Sequence, residues 1–265
     1  MRRIVRVTFS ILGTVLLAYL ALVAMAYAFQ GRLIYPVPPT NREVPPGYEA
    51  VRYNTADGLE IAAGYRPASA GMPTLLFFHG NGADWQSTAW VTDALAAEGY
   101  GVLAAEYRGY GGNTGSPSEL GLYEDARGAW RFLRARGVAE GDIVLVGNSI
   151  GSGVATHLAT EVGARALVLI SPFDSLEETA ARLMRWLPVR LLLRDRYANA
   201  EKLPTIDVPI LILHGEEDTL IGLDQARALA AANDQTKIIT YSGWGHDLIV
   251  HEPIQEHIAR FLETF

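Results

Sequence analysis

Six short runs, at 74–78, 102–106, 143–146, 166–170, 209–213 and 237–241, alternate with stretches long enough for helices. Most of these runs are apolar at nearly every position rather than at every second one. A strand tolerates that only when both of its faces are covered. The helix-length stretches include 118–136, 150–162, 223–232 and 253–265. Parallel strands need a crossover between them, so this alternation predicts an α/β fold, a mostly parallel sheet with helices on both faces. Two further runs, 50–54 and 60–66, flank Asp57-Gly58, a turn signal, and read as a hairpin. Ligands of such sheets bind beyond the carboxyl ends of the strands, so chemistry is sought there.

One stretch breaks the alternation. Residues 173–207 separate two strands with helix-like sequence that includes Leu183-Met184-Arg185-Trp186-Leu187 and Leu191-Leu192-Leu193. We expect a helical lid insertion that presents apolar side chains to an acyl group, against the alternative of an ordinary crossover helix with solvated arginines.

At the N-terminus, Arg2, Arg3 and Arg6 precede 7–29, which holds no charged residue. At about 1.5 Å per residue, a helix of that length crosses a hydrocarbon core of roughly 30 Å. Ala24-Met25-Ala26 and Ala26-Tyr27-Ala28 resemble cleavage sites, so a signal sequence is the alternative, although the apolar part is long for one. We read 1–29 as a membrane anchor and 30–265 as the catalytic domain. The basic tail places the N-terminus in the cytoplasm and the domain on the periplasmic or extracellular side, a bias that Arg32 and Arg42 weaken. Pro36, Pro38, Pro39, Pro45 and Pro46 then form a helix-hostile spacer or surface arm.

Composition narrows the chemistry. The formal net charge of -7 argues against a nucleic-acid partner. With no cysteine, disulfides, a thiol nucleophile and thiolate metal sites are all excluded.

The run 143–146 leads into Gly147-Asn148-Ser149-Ile150-Gly151. A G-x-S-x-G at the end of a strand is a sharp turn that lifts the serine hydroxyl above the sheet edge. A serine needs a base to take its proton, and the base needs an acid to fix its tautomer. His246 lies in the glycine-flanked loop Ser242-Gly243-Trp244-Gly245-His246 and is the expected base. His251 and His257 belong in or near the last helix, where solvated roles are expected. Asp218 follows the 209–213 run and gives the chain order Ser, Asp, His; Asp174, after the preceding strand, is its rival. Oxyanion donors are expected from the backbone N–H of Ile150 and, in the loop His79-Gly80-Asn81-Gly82, of Asn81. His79 reads as an anchor for that loop. No metal or organic cofactor is required.

With these residues placed, the chain resembles the α/β-hydrolase superfamily. It is similar, more narrowly, to the membrane-anchored branch that includes lysophospholipid and acylglycerol lipases and protein depalmitoylases. The narrower likeness rests on Arg32-Leu33-Ile34-Tyr35-Pro36 after the anchor, Tyr107-Arg108-Gly109-Tyr110-Gly111, Ser171-Pro172-Phe173, and Gly245-His246. It departs in Ile150, where leucine is usual, and Ile221, where valine is common. The resemblance implies a retained membrane helix and hydrolysis of carboxylic esters but transfers no substrate; the apolar insertion and the membrane tether together favour a lipid-like or acylated one. A thioesterase or peptidase with the same triad, or a non-catalytic binding protein on this fold, are the alternatives.

Overall fold

The structure is a computed structural model that describes residues 2–39, 43–251 and 253–265. Arg42, counted above among the basic residues beyond the anchor, lies outside the described residues. After a long helix α1 (Arg2–Ile34) come β1 (Glu49–Asn54), β2 (Glu60–Arg66), β3 (Thr74–Phe78), α2 (Trp85–Val91), α3 (Asp93–Ala97), β4 (Gly101–Ala105) and α4 (Glu119–Ala135). The second half runs β5 (Ile143–Asn148), α5 (Ile150–Ala159), β6 (Ala166–Ile170), α6 (Leu176–Leu183), α7 (Val189–Leu192), α8 (Asn199–Lys202), β7 (Ile210–Gly215), α9 (Leu223–Ala231), β8 (Thr236–Tyr241) and α10 (Pro253–Leu262).

The strands form one sheet in the order β1-β2-β4-β3-β5-β6-β7-β8. β1 and β2 pair antiparallel as the hairpin, and β3 to β8 are parallel to one another. The continuous apolar runs divide by the two-residue period of a strand. Leu76, Phe78, Leu103, Leu145, Leu167 and Ile212 join one core with α4, α5 and α9. Their neighbours Leu75, Phe77, Val102, Val144, Val168 and Leu211 join the other, against α2, α3 and α10. Helix starts follow local chemistry: Asp84 and Ser87 form a capping box at α2, and Ser118 Oγ accepts from Gly121 N at 3.2 Å at α4.

The stretch 173–207 is three short helices, α6 to α8, and a 3₁₀ turn at Leu203–Thr205, not a single crossover helix. It packs along the C-terminal half of α1. Tyr19 Oη donates to Trp186 O at 2.9 Å, Gln30 Nε2 donates to Leu192 O at 3.2 Å, and Gln30 Oε1 accepts from Arg194 N at 2.9 Å. The Arg194 guanidinium lies 4.3 Å from the Tyr27 ring centroid. Helix α1 is long and apolar enough to cross a membrane, with a mean hydropathy of 2.3 in its most apolar window. It continues past Phe29 to Ile34, and the next residue, Tyr35, is buried in the domain. Tyr35 Oη donates to Asp195 at 2.8 Å and shares a hydrogen bond with Tyr197 Oη at 2.9 Å.

Candidate active site

Between β5 and α5 a single residue, Ser149, makes the turn, with φ 52° and ψ -118°. That left-handed φ is strained for a side-chain-bearing residue and persists only where the surroundings dictate it. They do so here by close approach. A Cβ on Gly151 would stand 2.1 Å from Phe78 O, and one on Gly147 would stand 2.4 Å from Gly151 O. Ser149 N donates to Ile170 O at 2.9 Å, tying the turn to β6.

The loop after β8 carries His246 to this turn: Ser149 Oγ and His246 Nε2 are 3.0 Å apart. On the other side of the ring, His246 Nδ1 is 2.8 Å from Asp218 Oδ2, in the loop after β7. Asp218 Oδ1 accepts from Leu220 N at 2.9 Å and Ile221 N at 2.8 Å. Burial alone would raise the Asp218 pKa; the hydrogen bonds from His246 and Ile221 overcome this and hold it below the ordinary carboxylate value. Asp218 is therefore ionised at neutral pH and can only accept, so His246 Nδ1 carries its ring hydrogen and Nε2 offers a lone pair to the serine hydroxyl. Asp174, the rival acid, turns its carboxylate to the N–H of Ser175 at 2.5 Å, the residue that caps α6.

Several further residues hold this arrangement through contacts that the sequence alone does not show. Ser171, at φ 46°, donates from Oγ to His246 O at 3.3 Å. Gly215 lets the two loops touch, since a Cβ there would stand 2.3 Å from Trp244 O. Trp244 is stacked between Tyr241 and His251, at centroid distances of 5.0 Å and 4.2 Å. His257 Nδ1 is 2.9 Å from Tyr241 Oη. His251 and His257 are thus half-buried braces of the His246 loop, where solvated positions were expected. His214, fully buried, donates from Nε2 to Ile221 O at 2.9 Å; burial lowers its pKa and keeps it neutral beneath Asp218.

The loop His79-Gly80-Asn81-Gly82 faces the serine. A Cβ on Gly80 would come within 3.3 Å of Ser149 Cβ and 2.9 Å of Asn148 Nδ2, so only glycine brings this backbone so near. Ile150, at the first turn of α5, directs its N–H toward the same edge by helix geometry. Asn81 donates from Nδ2 to Ile34 O at 2.7 Å, joining the loop to the end of α1. Beneath the loop, His79 Nε2 is 2.6 Å from Glu106 Oε1, and both residues are buried. Burial would lower the His79 pKa, yet the Glu106 charge and hydrogen bond hold it above its ordinary value. Glu106 also accepts from Tyr107 N and, through Oε2, from Trp85 N. Tyr107 Oη donates to His79 O at 2.8 Å. A lone carboxylate closing an apolar strand was the available signal for Glu106. Among the described residues, no group of three or more His, Asp or Glu could hold a metal ion.

Residues 75–201 match the family model described as the alpha/beta hydrolase family, and 193–264 match that of TAP-like proteins. An uncharacterised protein of Mycobacterium tuberculosis is 35% identical over 264 residues, covering 95% of this chain and 94% of its own. Human alpha/beta hydrolase domain-containing protein 17B is 31% identical over 219 residues, covering 81% of this chain and 75% of the relative. This chain belongs to the α/β-hydrolase family. A third relative, the lysophosphatidylserine lipase ABHD12 of Danio rerio, is 32% identical over 187 residues, which cover 62% of this chain but 48% of that protein. Among solved structures, the esterase Pf2001 of Pyrococcus furiosus superposes with a TM-score of 0.72 at 20% identity, over 86% of this chain and 97% of its own. At that identity the likeness bears on the fold alone.

Proposed function

We propose that this α/β-hydrolase is a membrane-anchored serine hydrolase that cleaves carboxylic esters of lipid-like or acylated compounds through an acyl-enzyme. The observation that carries the reading is the unbroken chain of hydrogen bonds from Asp218 through His246 to Ser149 at the carboxyl edge of the sheet. In the first half-reaction His246 Nε2 takes the proton of Ser149 Oγ as the oxygen attacks the acyl carbonyl. The backbone N–H groups of Ile150 and Asn81 stabilise the oxyanion, and Asp218 stabilises the imidazolium. Protonated His246 then gives its proton to the leaving alcohol. Water repeats the sequence on the acyl-serine, and the carboxylic acid departs with Ser149 restored.

The lipid-like substrate class draws support from the lipase among the relatives and from the apolar insertion beside α1. The membrane reading draws on the length and hydropathy of α1, and Arg3 and Arg6 at its start favour a cytoplasmic N-terminus. We read 173–207 as an insertion that covers one side of the site.

A fluorophosphonate probe tests the nucleophile: the wild type is expected to label and Ser149→Ala is not. Equal labelling of the two proteins, or none of the wild type, overturns the reading. A panel of esters, thioesters and amides sharing one acyl group then ranks the scissile bonds, with esters expected first. Alkaline phosphatase fused after Phe265 is expected to be active, as it is only beyond the cytoplasm.

A further inference from the structure

Between α1 and the insertion runs a groove of about 410 Å³, a volume in the range of small-molecule sites. Met25, Phe29 and Leu33 of α1 form one wall, and Ala180, Met184 and Trp186 form the other. The one amide side chain in its lining, Gln30, is fully engaged: Nε2 donates to Leu192 O and Tyr27 O, and Oε1 accepts from Arg194 N. A polar occupant would find almost nothing to bond to there and would lose its own hydration.

Two features of the surroundings identify what does fit. At the inner end, Ile34 lines the groove and its carbonyl accepts from Asn81 Nδ2, so the groove stops against the loop that faces Ser149. At the outer side, exposed Leu183, Trp186 and Leu191 continue the apolar surface of α1, with Leu191 87% exposed. The mouth therefore opens onto whatever surrounds α1, and for a membrane-spanning helix that is lipid hydrocarbon.

We infer that the anchor helix is itself one wall of the substrate site, and that the groove takes the long hydrocarbon chain of a membrane-resident ester entering sideways from the leaflet. The inference rests on the serine-esterase reading above. The insertion then serves as a fixed partner of α1 rather than as a hinged cover, because Tyr19, Gln30 and Tyr35 bond it along its length.

The test uses the full chain in phospholipid nanodiscs. Met25→Trp and Leu33→Trp fill the groove from positions on α1 that are exposed in the free protein, so the domain's folding is not at stake; Ala180→Trp fills it from the other wall. Each buried methylene contributes about a fourfold factor in binding, and blocking a few of them is expected to lower kcat/KM for p-nitrophenyl palmitate tenfold or more. Hydrolysis of p-nitrophenyl butyrate is expected to stay at the wild-type rate. A binding arm independent of turnover uses Ser149→Ala with 9,10-dibromostearate, which is expected to quench the Trp186 fraction of the fluorescence and to lose that quenching in Ser149→Ala/Trp186→Phe. Unchanged palmitate hydrolysis in all three variants, equal loss of both esters in the two α1 variants, or no Trp186 quenching overturns the groove while leaving the esterase reading intact. A wild type inert to both esters, with quenching preserved, overturns the esterase reading instead.

Discussion

Replacing Asp218 by asparagine separates catalysis from stability in a way the local geometry dictates. The asparagine carbonyl oxygen can take the place of Oδ1 and keep the hydrogen bonds from Leu220 N and Ile221 N, so the loop has little reason to move. Its NH2 group then stands where Oδ2 accepted from His246 Nδ1 at 2.8 Å. Two donors cannot face each other, so the ring must carry its hydrogen on Nε2 and meet Ser149 Oγ with an N–H instead of a lone pair. Wrong-tautomer substitutions of this kind in serine triads lower kcat about 10⁴-fold, close to 5 kcal/mol of transition-state stabilisation. The structural loss is one charge-assisted bond exchanged for a neutral one, about 1 kcal/mol, or roughly 2–4 °C in Tm for a domain of this size. The depressed Asp218 pKa fixes the sign with pH. Its contribution to stability is present above the unfolded carboxylate pKa and disappears as pH falls through the lower folded value, so the two melting curves should converge in acid. The assay is p-nitrophenyl butyrate hydrolysis near neutral pH beside circular-dichroism melts, with Asp174→Asn as the parallel variant. Asp218→Asn within about tenfold of wild-type kcat, or Asp174→Asn as the more damaged of the two, would refute the assignment of the acid.

Glu106→Gln breaks the buried pair with His79 and leaves a donor without its acceptor, which should cost about 3–5 kcal/mol by thermal or urea unfolding. Because the His79 pKa is raised, the pair's contribution is complete below the ordinary histidine value and is lost as pH rises through the folded one, so the Tm gap to wild type should narrow at alkaline pH. Gly80→Ala pushes a Cβ against Asn148 and Ser149 and should lower kcat about 10²-fold if it displaces an oxyanion donor, with KM little changed in steady-state assays. Gly82→Ala, where a Cβ meets nothing but φ is +72°, should cost about 1–2 kcal/mol of stability and spare kcat. Gly64→Ala puts a Cβ 2.1 Å from the Trp85 ring, and the overpacking should cost about 1–3 kcal/mol and shift tryptophan emission.

The parallel sheet was legible because β3 to β7 are buried on both faces, and burial of that kind writes an unbroken apolar run into the chain. Ser149, Asp218 and His246 were each legible as polar residues in glycine-containing loops at strand ends, where a sheet of this type gathers its chemistry. What could not be read depends on which strands are neighbours. Glu106 meets His79 because β4 lies beside β3 in register, Phe78 opposite Ala105, and no local pattern encodes that adjacency. Arg108 reaching Asp57 at the hairpin tip is the same case, a contact made only once β2 lies beside β4. His251 and His257 read as solvated from their own stretch of chain; the Trp244 ring stacked on His251 and the edge-on Tyr241 ring at His257 come from the end of β8 and the loop after it.

For an α1 that spans a membrane, the bond from Tyr19 to Trp186 has a consequence for the bilayer itself. Tyr19 lies about 22 Å down the helix from Ile34, more than the half-thickness of a hydrocarbon core of roughly 30 Å. With Ile34 at the lipid headgroups, the insertion would reach past the midplane, and α1 from Arg3 to Ile34, about 46 Å long, would exceed the core it crosses. Such a protein would carry a built-in hydrophobic mismatch: α1 would tilt, or would sit at least cost where the membrane is thick. Membrane thickness would then govern where in a heterogeneous envelope the enzyme accumulates.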